Sequence, residues 1–285
     1  MVSALRASIL LAGGLCLSGC LAFVPFPDDE PLSFGLTNAG ILHRGVALPD
    51  RGEGYVRSRP GESTRFGTPD LIGALERAIA EVGRRFPGTA PMRVGDLSAP
   101  GGGRHPRHGS HRTGRDADLI FYVTDPAGRS REGRGWLAYN RFGYAVERRE
   151  GAPSGELFFF DDARNWWFVR TLVLDDEAAV QWIFVSRGVK SRLLRHAMAH
   201  EQDPRAIVRA AYVLQEPSNA SPHDDHFHVR VYCAEHALAH GCENRGPMWP
   251  WLRFAIEKPE SGEPLTDEVL VRALCEGLGE ASSAP

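Results

Sequence analysis

Two short stretches, more than a hundred positions apart, gather imidazoles and carboxylates at the mouth of strand-like runs. The first is HGSHRTGRDADLIFYV, His108 to Val123; the second is HDDHFHVRVY, His223 to Tyr232. Side chains on a strand alternate faces with a period of two. In HFHVRVY, His226, His228 and Arg230 therefore share a polar face, and Phe227, Val229 and Val231 share an apolar one. ADLIFYV is strongly β-prone with Asp118 at its start, while Gly109 and Gly114 bracket His111 in a sharply turning loop. If the two strands are neighbours, His111, Asp118 and His228 converge on one point. Two imidazoles and a carboxylate, with a fourth position open to water, are the ligand set of a catalytic zinc site. Five of the eleven histidines fall in these two stretches, arranged H-x-x-H-x-x-G-x-x-x-D and H-x-x-H-x-H, a pattern hard to read as scatter. Histidines beside strands are otherwise commonly satisfied polar or solvated loop residues.

The chain has 285 residues, 42% of them hydrophobic and 24% charged, enough for one sizeable core. A net charge of −3, with arginines interleaved among acids, argues against a nucleic-acid partner. Residues 1–19 read as an export signal: Arg6 supplies a basic start, and SILLAGGLCLSG is an apolar run too short for a permanent span. The run ends in LSGC, which resembles a lipobox with Cys20 as the lipidated residue, so the membrane is expected as a partner through that anchor. Residues 20–33, Pro- and Asp-rich, read as a tether, residues 34–257 as the catalytic domain and residues 258–285 as a tail with one short helix near Asp267–Leu278. Export favours oxidised cysteines, and Cys233 and Cys242 flank a short loop directly after HFHVRVY, so a disulfide between them is expected to pin that loop beside the site. Cys275 is left without an assigned partner.

Several elements must position these stretches. TPDLIGALERAIAEVGRRF is an amphipathic helix with Thr68 as N-cap, Pro69 at its first position and Leu71, Ile72, Leu75, Ile79 and Val82 as the buried stripe. MRVGDLSAP is a short strand leading into Gly101–Gly103, read as a flexible approach to the first stretch. ELFFFDDARNWWFVRTLVLD gives an acidic turn and a helix, Val180 to Val185 a buried strand, and SRLLRHAMAHEQDPRAIVRAAYVLQ two helices parted near Pro204. The fold class expected is α+β. His196 and His200 lie four apart on the first of those helices, but no acid stands between them as in HExxH, and a solvated helix face accounts for them; His236 and His240 read as surface residues. No G-x-S-x-G motif is present to supply a serine nucleophile.

HGSHRTGRDADL with its Gly-rich approach, the WIFVS strand and HDDHFHVRVYC together resemble the penicillin-insensitive murein endopeptidases, of the wider zinc-peptidase group that includes lysostaphin-type enzymes, D-Ala-D-Ala peptidases and hedgehog domains. LTNAGILHRGVALP and FGTPDLIGALERA stand in family-like positions, so the similarity runs from about Phe34 to Cys242. The resemblance implies a small central antiparallel sheet carrying zinc, flanked by helices and long loops. It implies His111, Asp118 and His228 as ligands, His226 as the catalytic imidazole, and His108 and His223 close to the metal. ERREGAPSG offers no clear counterpart of the family's further metal-associated acid and histidine, so the sequence lends no support to a second metal.

Several roles stay open at this level. His226 can accept a proton from the attacking water or stabilise the oxyanion. His223 and Asp225 are candidates for orienting His226 or a ligand ring. Arg230 can meet a substrate carboxylate or form only an ion pair. The substrate expected from the resemblance and the export signal is the peptide stem of peptidoglycan, cleaved near D-alanine and diaminopimelate by an enzyme held in the periplasm on the outer membrane. A D-alanyl carboxypeptidase or dipeptidase of the same group, and a zinc-containing binding protein without activity, are the alternatives.

Overall fold

A computed structural model of the chain describes residues 29–148, 155–218 and 220–252. The export signal, Cys20, Cys275, the tail helix and most of ERREGAPSG lie outside the described residues.

The domain is α+β, centred on a seven-stranded sheet. In spatial order its strands are Leu214–Gln215, Val180–Phe184, His226–Val231, Asp116–Ile120, Met92–Val94, Tyr55–Arg57 and Arg51–Gly52. The sheet is larger than the small antiparallel one expected. Its middle four strands pair antiparallel, while Leu214–Gln215 and Tyr55–Arg57 join in parallel. The two sequence stretches meet at its centre: the His226–Val231 strand pairs with Asp116–Ile120, placing His228 opposite Asp118 and Arg230 opposite Asp116. Asp118 thus stands in the middle of its strand rather than at its start.

One face of this sheet is apolar, as the alternation in HFHVRVY requires. Phe227, Val229 and Val231 are fully buried together with Ala117, Leu119 and Ile183. Helices cover that face. Helix α1, Pro69–Arg85, begins at the Thr68 cap, whose hydroxyl accepts from the Leu71 N–H, and buries Leu71, Ile72, Leu75, Ile79 and Val82. Helix α2, Asp162–Leu174, brings Phe168 within 5.6 Å of the Phe227 ring. Helices α3, Arg187–His200, and α4, Pro204–Val213, follow, parted at Pro204 as expected. Among the described residues no helix is long and apolar enough to cross a membrane.

Smaller units complete the domain. A hairpin pairs Leu32–Leu36 with Ala39–His43, and a four-stranded antiparallel sheet that includes Val123–Thr124 and Glu156–Phe160 adds Phe158 and Phe160 to the core. The Gly101–Gly103 run is not a loose approach. Gly101 accepts from the Leu42 N–H, Gly103 donates to Arg112, and Gly102 has φ +66° with no space for a Cβ, which would meet the Arg112 carbonyl. Glycine there lets the chain lie flat against the hairpin edge, a close approach that composition alone does not distinguish from flexibility.

Candidate metal centre

Residues directly opposite on antiparallel strands share a face. The register therefore lays two rows across the polar side of the sheet. One row is Asp118, His228 and Phe184; the other is Asp116, Arg230 and Trp182. His226, two positions before His228, completes the cluster.

Asp118 is its hub. It is fully buried, and three imidazole nitrogens approach its Oδ1: His111 Nε2 at 3.3 Å, His226 Nε2 at 3.4 Å and His228 Nδ1 at 3.5 Å. His108 Nε2 lies 3.3 Å from Oδ2 and 3.0 Å from Asp96 Oδ2. Yet both Asp118 oxygens and both His111 ring nitrogens lack a hydrogen-bond partner although buried. Buried polar groups are ordinarily paired, so an unpaired imidazole facing an unpaired carboxylate, with three further imidazoles around it, fits a bound cation. His108, His111 and Asp118 offer ligand atoms within 4.8 Å of one another. Imidazole nitrogens with one carboxylate oxygen suit zinc among the divalent ions.

The surrounding groups fix how each ring presents itself. His228 donates from Nε2 to Asp116 Oδ1 at 2.9 Å, which leaves Nδ1 with its lone pair towards Asp118. Burial pushes this imidazole down to about 4, and the neighbouring Asp116 does not restore it, so His228 is neutral at physiological pH. Asp116 also accepts from Arg230 Nε at 2.6 Å and from the His111 N–H at 3.2 Å. Burial would raise its pKa, but the Arg230 charge and the His228 bond outweigh that and hold it well below the usual carboxylate range. Asp118 behaves likewise: burial is overcome by the His111 and His226 charges. His111 has φ +61°, a left-handed conformation unusual for a non-glycine residue, and is held there by the Asp116 bond and by Ser98, whose hydroxyl donates to the His111 carbonyl.

His226 stands between two acids. Its Nδ1 is 2.5 Å from Asp225 Oδ1, and its ring meets Trp136 edge-on at 4.7 Å. Burial lowers its pKa, but Asp118 and Asp225 prevail and lift it to about 9. His223 sits at the mouth of the site, 4.8 Å from the His226 ring, with Nδ1 donating to the Ser221 carbonyl at 2.6 Å. Arg230 has its Nε committed to Asp116, and its guanidinium carbon lies 5.3 Å over the Phe184 ring.

The structure thus brings together His108, His111, Asp118, His223, His226, His228 and Arg230. It adds Asp96, Asp116 and Trp136, which the sequence reading did not single out. Asp116 had a signal: it is two positions before Asp118 on the same strand and so on the same face. Asp96 and Trp136 had none, because both reach the site through tertiary packing. Asp96 accepts from Arg107, Thr64 and His108. His105 is buried beside it, but its Nδ1 accepts from the Arg107 and His108 N–H groups, so its proton sits on Nε2 and no lone pair is left for a metal. His196 and His200 lie on α3 with rings 4.6 Å apart, and the nearby Glu201 is occupied by Trp166 and Arg170. Cys233 and Cys242 are disulfide-bonded, and the segment they enclose contains a short helix, α5, Glu235–Ala239, rather than a bare loop.

The cluster opens into a groove of about 1100 Å³, bounded by the hairpin tip at Leu36–Asn38, by Arg107–Ser110, by Gln215–Ser218 with Ala220 and Ser221, and by Glu243 and Arg245. An α+β domain with a buried His–Asp cluster at the floor of such a groove has the form of a hydrolase. The penicillin-insensitive murein endopeptidase family model matches residues 33–250, and the chain belongs to that family. It is 29% identical over 231 residues to a penicillin-insensitive murein endopeptidase of Haemophilus influenzae, covering 79% of this chain and 71% of the relative. A protein of the same name from Klebsiella pneumoniae is 27% identical over 267 residues, 89% of each chain.

Proposed function

We propose that this protein is a zinc-dependent endopeptidase that hydrolyses the peptide cross-links of peptidoglycan, of the D-alanine/diaminopimelate type. The observation that carries this reading is the buried, unpaired ring nitrogens of His111 and oxygens of Asp118, with His228 Nδ1 3.5 Å from Asp118 Oδ1, at the floor of a wide groove. Small-molecule pockets span roughly 300–1,000 Å³; a groove of about 1100 Å³, just above that range, suits a chain running through it better than a free terminus in a closed pocket. That favours an endopeptidase over a carboxypeptidase.

The residues divide the work. His111, Asp118 and His228 would hold the ion, with His108 beside them; when bound, zinc activates water near neutral pH and polarises the scissile carbonyl. Asp116 holds His228 in the tautomer that frees Nδ1. His226, oriented by Asp225, exchanges a proton with the reacting groups or faces the developing oxyanion from the same strand edge. His223, hinged to Ser221, is a further proton carrier at the groove mouth. Arg230 contributes positive charge beside the substrate path. Cys20 would carry a lipid anchor holding the enzyme in the periplasm at the outer membrane, within reach of the polymer.

The test is to incubate the protein with purified cross-linked muropeptide dimers and follow the products by mass spectrometry. Dimers should fall to monomers, chelator should stop the reaction, added zinc should restore it, and His228→Ala should remain inactive. Persistence of dimers in the presence of zinc-loaded protein contradicts the reading.

A further inference from the structure

One rim of the groove is built by residues that the metal centre does not use. Glu243, Asn244 and Arg245 follow Cys242 directly and are held by groups that are almost wholly buried. Arg115, 1% exposed, donates from Nη1 to Asn244 Oδ1 at 3.0 Å and from Nη2 to the carbonyls of Glu243 at 2.9 Å and Gly35 at 3.2 Å. The Cys233 N–H donates to the same Asn244 oxygen at 2.9 Å. Gln181, also 1% exposed, donates from Nε2 to the Arg245 carbonyl at 2.8 Å. The Cys233–Cys242 disulfide closes this unit. A buried guanidinium bonded to carbonyl and amide oxygens, rather than to a carboxylate, is a costly way to fix a loop. Rigid support of this kind is what a recognition group needs, because it removes the ordering cost of binding.

The group so presented is Arg245. Its side chain is exposed on the groove and makes no ion pair among the described residues. Trp182 lies alongside: Gly246, at φ +102°, turns the chain so that its Cβ position stands 3.5 Å from the indole Nε1. Trp249 braces that indole edge-on at 5.1 Å. Trp182 belongs to the row that carries Arg230 and Asp116, so this rim is continuous with the metal floor. Glu243 is exposed on the same rim.

We propose that Arg245, with the Trp182 indole N–H as a second donor, forms a subsite for one free carboxylate on the peptide stem next to the scissile bond, and thereby selects the stem. A guanidinium fork on a fixed backbone matches a carboxylate in shape and charge. The inference rests on the peptidoglycan reading above, since diaminopimelate is what brings such a carboxylate.

Two measurements separate this proposal from that reading. The first is calorimetric binding of un-cross-linked stem peptides, with the diaminopimelate carboxylate free or amidated, to the zinc-loaded chain and to Arg245→Gln. Arg245 is exposed, so this variant should fold as the parent does. Wild type should bind the free form roughly 10- to 100-fold more tightly than the amidated one, and Arg245→Gln should bring that ratio close to one. A wild type without preference, or a variant that keeps it, overturns the subsite. The second is cleavage of the corresponding dimers: preference in binding without cleavage supports the subsite and removes the endopeptidase reading, whereas cleavage without preference does the reverse.

Discussion

Asp116 is one carboxylate serving three donors: the His228 ring, the Arg230 guanidinium and the His111 backbone. All three lie in or beside the His–Asp cluster, so Asp116 sets the tautomer of one proposed ligand, His228, and the backbone of another, His111. Removing its charge while keeping its shape should loosen the site without emptying it. Asp116→Asn is expected to weaken zinc binding roughly 10- to 100-fold, measured by competition with a chromophoric chelator; unchanged affinity would mean that His228 is oriented by something else. At this scale much was readable in advance. The H-x-H pair, His111 and Asp118 stand out because their types and spacing differ from background. Asp116 was passed over although the same period of two that grouped His226 with His228 also groups it with Asp118. Asp96 and Trp136 approach from distant loops, and no local pattern marks them.

Among the elements, the Asp116–Ile120 strand depends on a helix for its exact placement. Just beyond the strand, Tyr122 exchanges two hydrogen bonds with the fully buried Asn165 of α2: its N–H donates to Oδ1 at 2.9 Å, and its carbonyl accepts from Nδ2 at 2.8 Å. The amide acts as a substitute strand edge. Asn165→Ala would leave both buried backbone groups unpaired and should lower stability by about 2–4 kcal/mol in urea unfolding; a loss below about 1 kcal/mol would show that water or backbone shifts replace the amide. The elements themselves were legible where local chemistry decides them. The Thr68–Pro69 start of α1, the break at Pro204 and the alternating HFHVRVY strand all follow from capping, ring geometry and periodicity. The flatness of Gly101–Gly103 against the hairpin was not legible, because a glycine tolerated by flexibility and one required by close approach look alike in sequence.

For the whole molecule, the decisive fact is the register of two strands whose paired residues are about 110 positions apart in the chain. No local pattern sets that pairing; the sequence leaves the adjacency of the two strands a condition, and the structure supplies the register. The consequence is a sheet with one face closed by helices and the other bearing two rows of chemistry, one leading from Asp118 to Phe184 and the other from Asp116 to Trp182. The size of the sheet was underestimated because its edge strands are only two or three residues long. The central claim is that this face holds zinc between His111, Asp118 and His228. Anomalous diffraction across the zinc absorption edge, from crystals grown with stoichiometric zinc, tests it most directly. One peak bounded by His111, Asp118 Oδ1 and His228 Nδ1 is the predicted result. A peak centred on Asp96 and His105, or none within reach of Asp118, would contradict it.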